Sequence, residues 1–257
     1  MRSIRGRAFV AVLAIVVALL GVERIAQACG AAYPGGPMVC TMADAPSAKK
    51  AETPGLPRAR VFASYAYTST TILFTGDRRA DMTRHAAFAG TEIPVSPRLG
   101  LRFGAGGLGG GELRTIRGTA TLGPGATTFF GAVATIVDEK PERPFLQMGA
   151  TLSITRAATR GPAPNEAPSF TAFDLRAALT AGKTIGSFLV PFVTLRAFGG
   201  PIFYRIGLDD VRGTDLYKYQ VAGGLAVTLP KRILDVFVEG VPLGESGVSA
   251  GLGTTFN

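Results

Sequence analysis

From about residue 97 to the C-terminus, apolar residues recur at every second position in short segments. Leu99, Leu101, Phe103 and Ala105 oppose Arg98, Gly100, Arg102 and Gly104. Ile116, Gly118, Ala120 and Leu122 oppose Thr115, Arg117, Thr119 and Thr121. The same holds for Leu146, Met148, Ala150, Leu152 and Ile154, then for Phe173, Leu175, Ala177 and Leu179. It holds again for Val221, Gly223, Leu225 and Val227, and for Leu234, Val236 and Val238 against Asp235, Phe237 and Glu239. Side chains alternate across a strand with period two, so each segment predicts a strand with one apolar face. The opposite faces carry mainly Gly, Ala, Ser and Thr with a few charges, whereas a fully solvated face would carry more Lys and Glu.

Such segments, of about ten residues each, are the pattern of a membrane barrel, apolar outward to lipid and small or polar inward. After the N-terminal region no apolar run approaches the ~20 residues of a spanning helix. Lipid offers no partner to a backbone N–H or C=O, so only helices or closed barrels cross it. The expected fold is therefore all-β, a closed antiparallel transmembrane β-barrel. A soluble β-sandwich is the competing fold. Strand regions are expected at about 60–75, 82–95, 97–106, 112–122, 127–138, 144–156, 169–181, 185–203, 217–229, 233–243 and 247–257. Barrels of one bacterial chain have even strand numbers, so ten or twelve strands are expected, the miscount falling between 58 and 97, where alternation is poorest. Ala181-Gly182-Lys183 and Pro230-Lys231-Arg232 read as periplasmic turns, Ala157–Pro168 and Gly207–Thr214 as extracellular loops, and Gly244–Ser246 as a short outer turn.

The last strand is the clearest. Val248, Ala250, Leu252, Thr254 and Phe256 share one face, with Ser249, Gly251, Gly253 and Thr255 on the other, and only Asn257 follows. This segment resembles the C-terminal strand of bacterial outer-membrane β-barrels. That resemblance implies that Val248, Ala250, Leu252 and Phe256 form the signal read by the barrel-insertion machinery. It also implies a place in the outer membrane of a Gram-negative-type bacterium, in contact with its lipids.

The N-terminus agrees with export. Arg2, Arg5 and Arg7 precede an apolar run from Ala8 to Val22, and Ala26-Gln27-Ala28 supplies a small-x-small cleavage site, the order of a secretory signal peptide. The domains expected are a signal peptide at 1–28, a Pro/Gly/Ala-rich periplasmic extension at 29–57 and the barrel at 58–257. Cys29 and Cys40 are the only cysteines. In an oxidising compartment an even count favours a disulfide between them; lipidation of Cys29 is the alternative.

Charge and candidate chemistry change this picture little. The net charge is +9, of which residues 1–28 contribute +4 − 1 = +3, leaving +6 on the rest. No basic run accompanies it, which argues against nucleic-acid binding and leaves lipid phosphates as a basic surface's natural partner. His85 is the only histidine, too little for a His-dependent hydrolase, and no enzyme activity and no cofactor or metal are expected. Asp209-Asp210 reads as part of a turn. Gly104-Ala-Gly106-Gly107-Leu-Gly109 fits a dinucleotide-binding pattern, but a strand follows where that motif needs a helix. Arg98, Arg102, Arg117, Asp174, Arg176, Asp235 and Glu239 are the candidate lumen-lining charges. They suit a small passive channel for ions or small solutes, with a weak anion preference. The alternative is a closed structural or loop-presenting barrel whose charges pair inside; oligomeric state is not legible.

Overall fold

The computed structural model describes residues 29–31, 38–40, 59–96, 98–116, 118–160, 169–186, 188–206, 209–229 and 234–256. Two short strands, β1 (Cys29–Ala31) and β2 (Met38–Cys40), form a hairpin whose register sets Cys29 opposite Cys40. Direct opposition in an antiparallel pair gives a Cα spacing of about 4.5–5.5 Å, within disulfide range. The cysteine side chains lie outside the description, so their pairing stays an expectation, as does the signal peptide.

The remaining strands are β3 (Ala59–Phe74), β4 (Arg78–Ser96), β5 (Leu99–Thr115), β6 (Gly118–Val137), β7 (Phe145–Arg160), β8 (Ser169–Gly182), β9 (Leu189–Gly199), β10 (Ile202–Ile206), β11 (Asp209–Asp215), β12 (Tyr219–Thr228), β13 (Asp235–Gly244) and β14 (Ser246–Phe256). Strands β3 to β9 pair in order, β9 pairs with β12, and β12 to β14 continue the meander. β14 then returns to β3 from Ser246↔Ser69 to Phe256↔Ala59. All these pairings are antiparallel, so ten strands close a ring and leave no edge.

A second ring sits above the first. β9 and β12 to β14 have only 10 or 11 residues, against 14–20 in β3 to β8. The β10–β11 hairpin fills the space above the short strands. β10 prolongs the line of β9 on β8, with Ile202↔Ala172 and Phe203↔Thr171, and β11 joins β3 at Gly213↔Phe74. The wall thus has ten strands at the base, where β3 begins and β14 ends, and eight at the top (β3 to β8, β10, β11). Between them, the tip of the β13–β14 hairpin ends beneath β11.

The two levels face their surroundings in opposite ways. In the base the outward residues are apolar, among them Val61, Phe103, Phe130, Leu152, Leu175, Leu195, Leu225 and Val238. Tyr65 and Tyr219 lie at the upper margin of this band. In the top level the outward positions are polar: Arg79 and Asp81, Glu112 and Arg114, Thr119 and Thr121, Arg156 and Arg160, Arg205 and Arg212. Their inward neighbours Ile72, Met82, Leu113, Leu122, Phe170 and Ile202 are buried and apolar. A 20-residue strand such as β6, tilted by ~40°, rises about 50 Å, roughly twice the height of an outer-membrane apolar band. The base therefore spans the lipid, and the top stands in water with an ordinary soluble core.

Several sequence expectations need correction here. Ala120 and Leu122 point inward and Thr119 and Thr121 outward, the reverse of the lipid-facing assignment, because this part of β6 lies above the membrane. Ile116 is in the β5–β6 turn. The three segments expected over 97–138 are two long strands, β5 and β6, which brings eleven regions to ten. The expected regions leave gaps at 107–111 and 123–126, both rich in glycine. They lie inside strands, at irregularities where Ala86 pairs with Leu108 and Leu122 is followed in register by Gly125. Gly110, at φ +126°, supplies the backbone conformation that the first of these needs. Gly207–Thr214, expected as a loop, belongs largely to the β10–β11 ladder.

Inward glycines face inward phenylalanines. A Cβ on Gly104 would come within 2.5 Å of the Phe129 ring, on Gly182 within 2.6 Å of Phe145, and on Gly251 within 2.6 Å of Phe237. The rings lie across glycine backbone in the base, which explains why the polar face of the sequence is so rich in glycine. Gly251→Val should therefore overpack the base and cost about 1–3 kcal/mol. The check is the urea midpoint for loss of the compact, boiling-sensitive form on electrophoresis, which should fall, whereas Ala250→Val on the outward face should leave it near that of the parent.

Candidate functional site

The lumen is where the sequence placed its functional residues. β4, β8, β9, β12 and β13, with the tip between β13 and β14, aim charged and amide side chains into it at the level where ten strands become eight. Glu245, at the β13–β14 tip, is the centre. Its carboxylate meets Arg84 Nη2 at 3.1 Å and accepts hydrogen bonds from Arg176 Nη2 at 3.0 Å and Gln220 Nε2 at 2.6 Å. Arg176 Nε also donates to Asp174 at 2.5 Å, and its guanidinium lies 4.5 Å from the centre of the Phe198 ring. Arg84 Nε donates to Thr68 Oγ1 at 3.1 Å. One step lower, Arg196 donates to Glu239 at 2.5 Å and to Gln220 Oε1 at 3.3 Å. Glu239 and Glu245 are both among the fully buried side chains. A buried charge persists only when paired and hydrogen-bonded, and each carboxylate here has a guanidinium.

Near the base, Arg102 Nε donates to Glu92 at 2.9 Å, and Arg60 approaches the same carboxylate at 3.6 Å. Aromatic rings fill the space around these pairs: Phe62, Phe88 and Phe129 on one side, Phe145, Phe192 and Phe237 on the other. Above the Glu245 layer, Ile72, Leu113 and Phe170 have 0% of their surface exposed. From base to top the interior runs aromatic around the two ion pairs of Glu92, then charged, then apolar.

Of the sequence candidates, Arg102, Asp174, Arg176, Asp235 and Glu239 point inward. Asp174 and Arg176 join the Glu245 layer; Asp235 and Arg102 sit lower. Arg98 does not line the lumen. It lies before β5 at the base rim, with its side chain 64% exposed and paired to Asp138 at 2.6 Å. Arg117 lies outside the described residues. Val248, Ala250 and Leu252 face outward on β14, and Phe256 ends that strand opposite Ala59, its side chain undescribed.

Arg84, Arg196, Gln220, Glu92 and Glu245 were not singled out from sequence. Arg196 and Gln220 were recoverable, since each alternates with apolar neighbours as Arg102 does. Glu245 was hidden because Gly244–Ser246 reads as an exposed outer turn; the unequal lengths of β3 and β14 were the available signal. His85 faces outward, where Tyr65 Oη and His85 Nδ1 lie 2.6 Å apart and the Tyr67 ring lies 4.9 Å from it. The lumen carboxylates point the other way. Asp209 and Asp210 begin β11 rather than forming a turn, and they pair with Arg78 and Arg205.

No family model matches the sequence, and no curated protein matches it. Among solved structures, the chain is similar to the translocator domain of the autotransporter NalP from Neisseria meningitidis, at 11% identity over 81% of this chain and 90% of that one, with a TM-score of 0.45. It is similar to the transport unit of the autotransporter AIDA-I from Escherichia coli at 9% identity, over 84% and 95%, with a TM-score of 0.44. It is also similar to the outer-membrane protease OmpT from Escherichia coli at 10% identity, over 81% and 98%, with a TM-score of 0.45. These are outer-membrane barrels. The closed ring and outward apolar band of this chain establish the same architecture on their own.

Two outcomes follow from the charged layer. Glu245→Ala leaves Arg84 and Arg176 without their shared carboxylate, and breaking such a buried pair costs about 3–5 kcal/mol; the urea unfolding midpoint should drop accordingly. Asp215, in the water-exposed level on β11, is pushed up to about 6 from 3.8, first by burial and then by the charge of Glu245. Its folded pKa exceeds its unfolded one, so its ionisation favours unfolding. This stability is full below about pH 4 and is lost as pH rises through 6. Asp215→Asn should therefore stabilise by up to about 3 kcal/mol at pH 8 and by little at pH 4, read as unfolding midpoints at the two pH values.

Proposed function

We propose that the protein is a closed, non-conducting barrel that anchors a rigid, polar, eight-stranded platform at the outer face of the outer membrane. The observation that carries this reading is the burial of inward side chains at every level. Phe145 and Val190 near the base, Thr194, Glu239 and Glu245 in the middle, and Ile72, Leu113 and Phe170 at the top are all out of contact with water. A solute path would wet at least one face of each level. Eight strands enclose an interior that side chains can fill completely, and the upper ring has that number. Of the two readings open from sequence, passive channel and closed structural barrel, the packing supports the second. The inward charges serve as paired struts.

Among the described residues the platform is made of strands and tight turns: only Thr75 to Asp77 separate β3 from β4, and β5 and β6 are joined at 116–117; the β7–β8 connection at 161–168 lies outside the description. This suits a fixed recognition or structural surface better than a mobile loop set. Residues 1–28 then act as the export signal, and β14 as the strand presented to the insertion machinery. The test is single-channel recording of the refolded protein in planar bilayers. The expected result is no stepwise conductance at either polarity in molar salt. Stable openings with defined conductance would return the passive-channel reading, and Arg102→Gln would then report on its selectivity.

A further inference from the structure

Three guanidinium groups on the outer face of the upper level are matched by acids: Arg78 by Asp209, Arg114 by Glu112, Arg205 by Asp210. Arg156 and Arg160 of β7 and Arg212 of β11 are different. All three are exposed, and none has a carboxylate partner among the described residues. Register places two of them in one row. Arg156 pairs with Thr171, Thr171 with Phe203, and Phe203 with Arg212, so three strand spacings, about 14 Å, separate the two arginines. Arg160 lies four residues further along the same face of β7, about 13 Å from Arg156. Between the three lie Ala158, Ser169, Thr171 and Phe203, none of them acidic. The Arg212 guanidinium sits 5.7 Å from the centre of the Phe203 ring, which holds it over this surface.

Directly below the patch the outward residues are Ile154, Phe173 and Leu175, all exposed and part of the lipid band. The cationic surface thus begins where acyl chains end. We propose that it binds the phosphorylated headgroup of an outer-leaflet glycolipid, whose chains lie against Ile154, Phe173 and Leu175. Guanidinium groups bind phosphate through paired, charge-assisted hydrogen bonds. The hydroxyls of Ser169 and Thr171 add donors between them, and continuity with the apolar band selects a lipid over a free anion. The inference rests on the placement of the base in the membrane and not on closure of the lumen, so conductance and lipid binding test separate claims.

The test uses the refolded full chain in zwitterionic nanodiscs containing a small fraction of lipid A, with retained lipid counted by native mass spectrometry. Wild type should retain phosphorylated lipid A, and Arg156→Gln/Arg212→Gln should retain about tenfold less. Arg114→Gln, at similar height but with an arginine matched by Glu112, should match wild type. Dephosphorylated lipid A should bind at least tenfold more weakly, and millimolar inorganic phosphate should not displace the lipid. Boiling-sensitive migration confirms that each variant is folded; Arg160→Gln alone serves as the milder variant, with a smaller loss expected. Equal retention by the folded variants, equal binding of the dephosphorylated lipid, or full displacement by inorganic phosphate would each overturn the proposal.

Discussion

A backbone in lipid has no water to satisfy its N–H and C=O groups, and every other feature of this chain follows from that constraint. Ten strands close the base without an edge. The demanding position is the step from ten strands to eight, where β11 leaves the line of β12 and crosses to β3. There the β13–β14 hairpin ends in the wall beneath β11, with the side chain at its tip turned into the lumen and fully buried, and a buried carboxylate cannot be left unpaired. The chain places Glu245 at that tip and surrounds it with Arg84, Arg176 and Gln220. The charged layer is thus the joint between two rings of different size, which accounts for its position and for the burial of Glu245 and Glu239.

Above the joint the solvent changes, and the facing rule changes with it. In lipid, outward apolar groups cost nothing and inward polar groups must pair. In water, the gain comes from burying apolar surface inside. β6 shows both rules on one strand: Phe130 faces lipid, while Leu122, eight residues earlier, faces the core. The irregular register between Leu122 and Gly125 accommodates the change of side within a continuous strand.

Much of this was legible in the sequence. The lipid-facing assignments of Leu99 to Ala105, Leu146 to Ile154, Phe173 to Leu179 and the C-terminal strand all rest on period-two alternation, which the membrane makes strict. What escaped were the positions where that pattern means something else. Gly104 to Gly111 punctuates a strand without ending it, because its inward glycines receive the rings of Phe88 and Phe129. Ala120 and Leu122 alternate as lipid-facing residues do, yet they face a water-soluble core, and sequence alone carries no mark of height above the membrane. The charges at Arg102, Asp174, Arg176, Asp235 and Glu239 lie on the inward face. Glu245, the partner of Arg176, and Arg196, the partner of Glu239, come from other parts of the ring and required the register to be known.

The division into a lipid-embedded base and a water-exposed top can be measured with spin labels at outward positions. With Cys29 and Cys40 replaced by serine, single cysteines at Leu152, Thr121 and Thr171 would each carry a nitroxide in bilayer-reconstituted protein. Relaxation by oxygen and by a water-soluble nickel complex then reports the surroundings of each. The label at 152 should be relaxed mainly by oxygen, which concentrates in lipid, and those at 121 and 171 mainly by the nickel complex. Oxygen-dominated relaxation at 121 and 171 would place the upper ring in the membrane and contradict the two-level barrel.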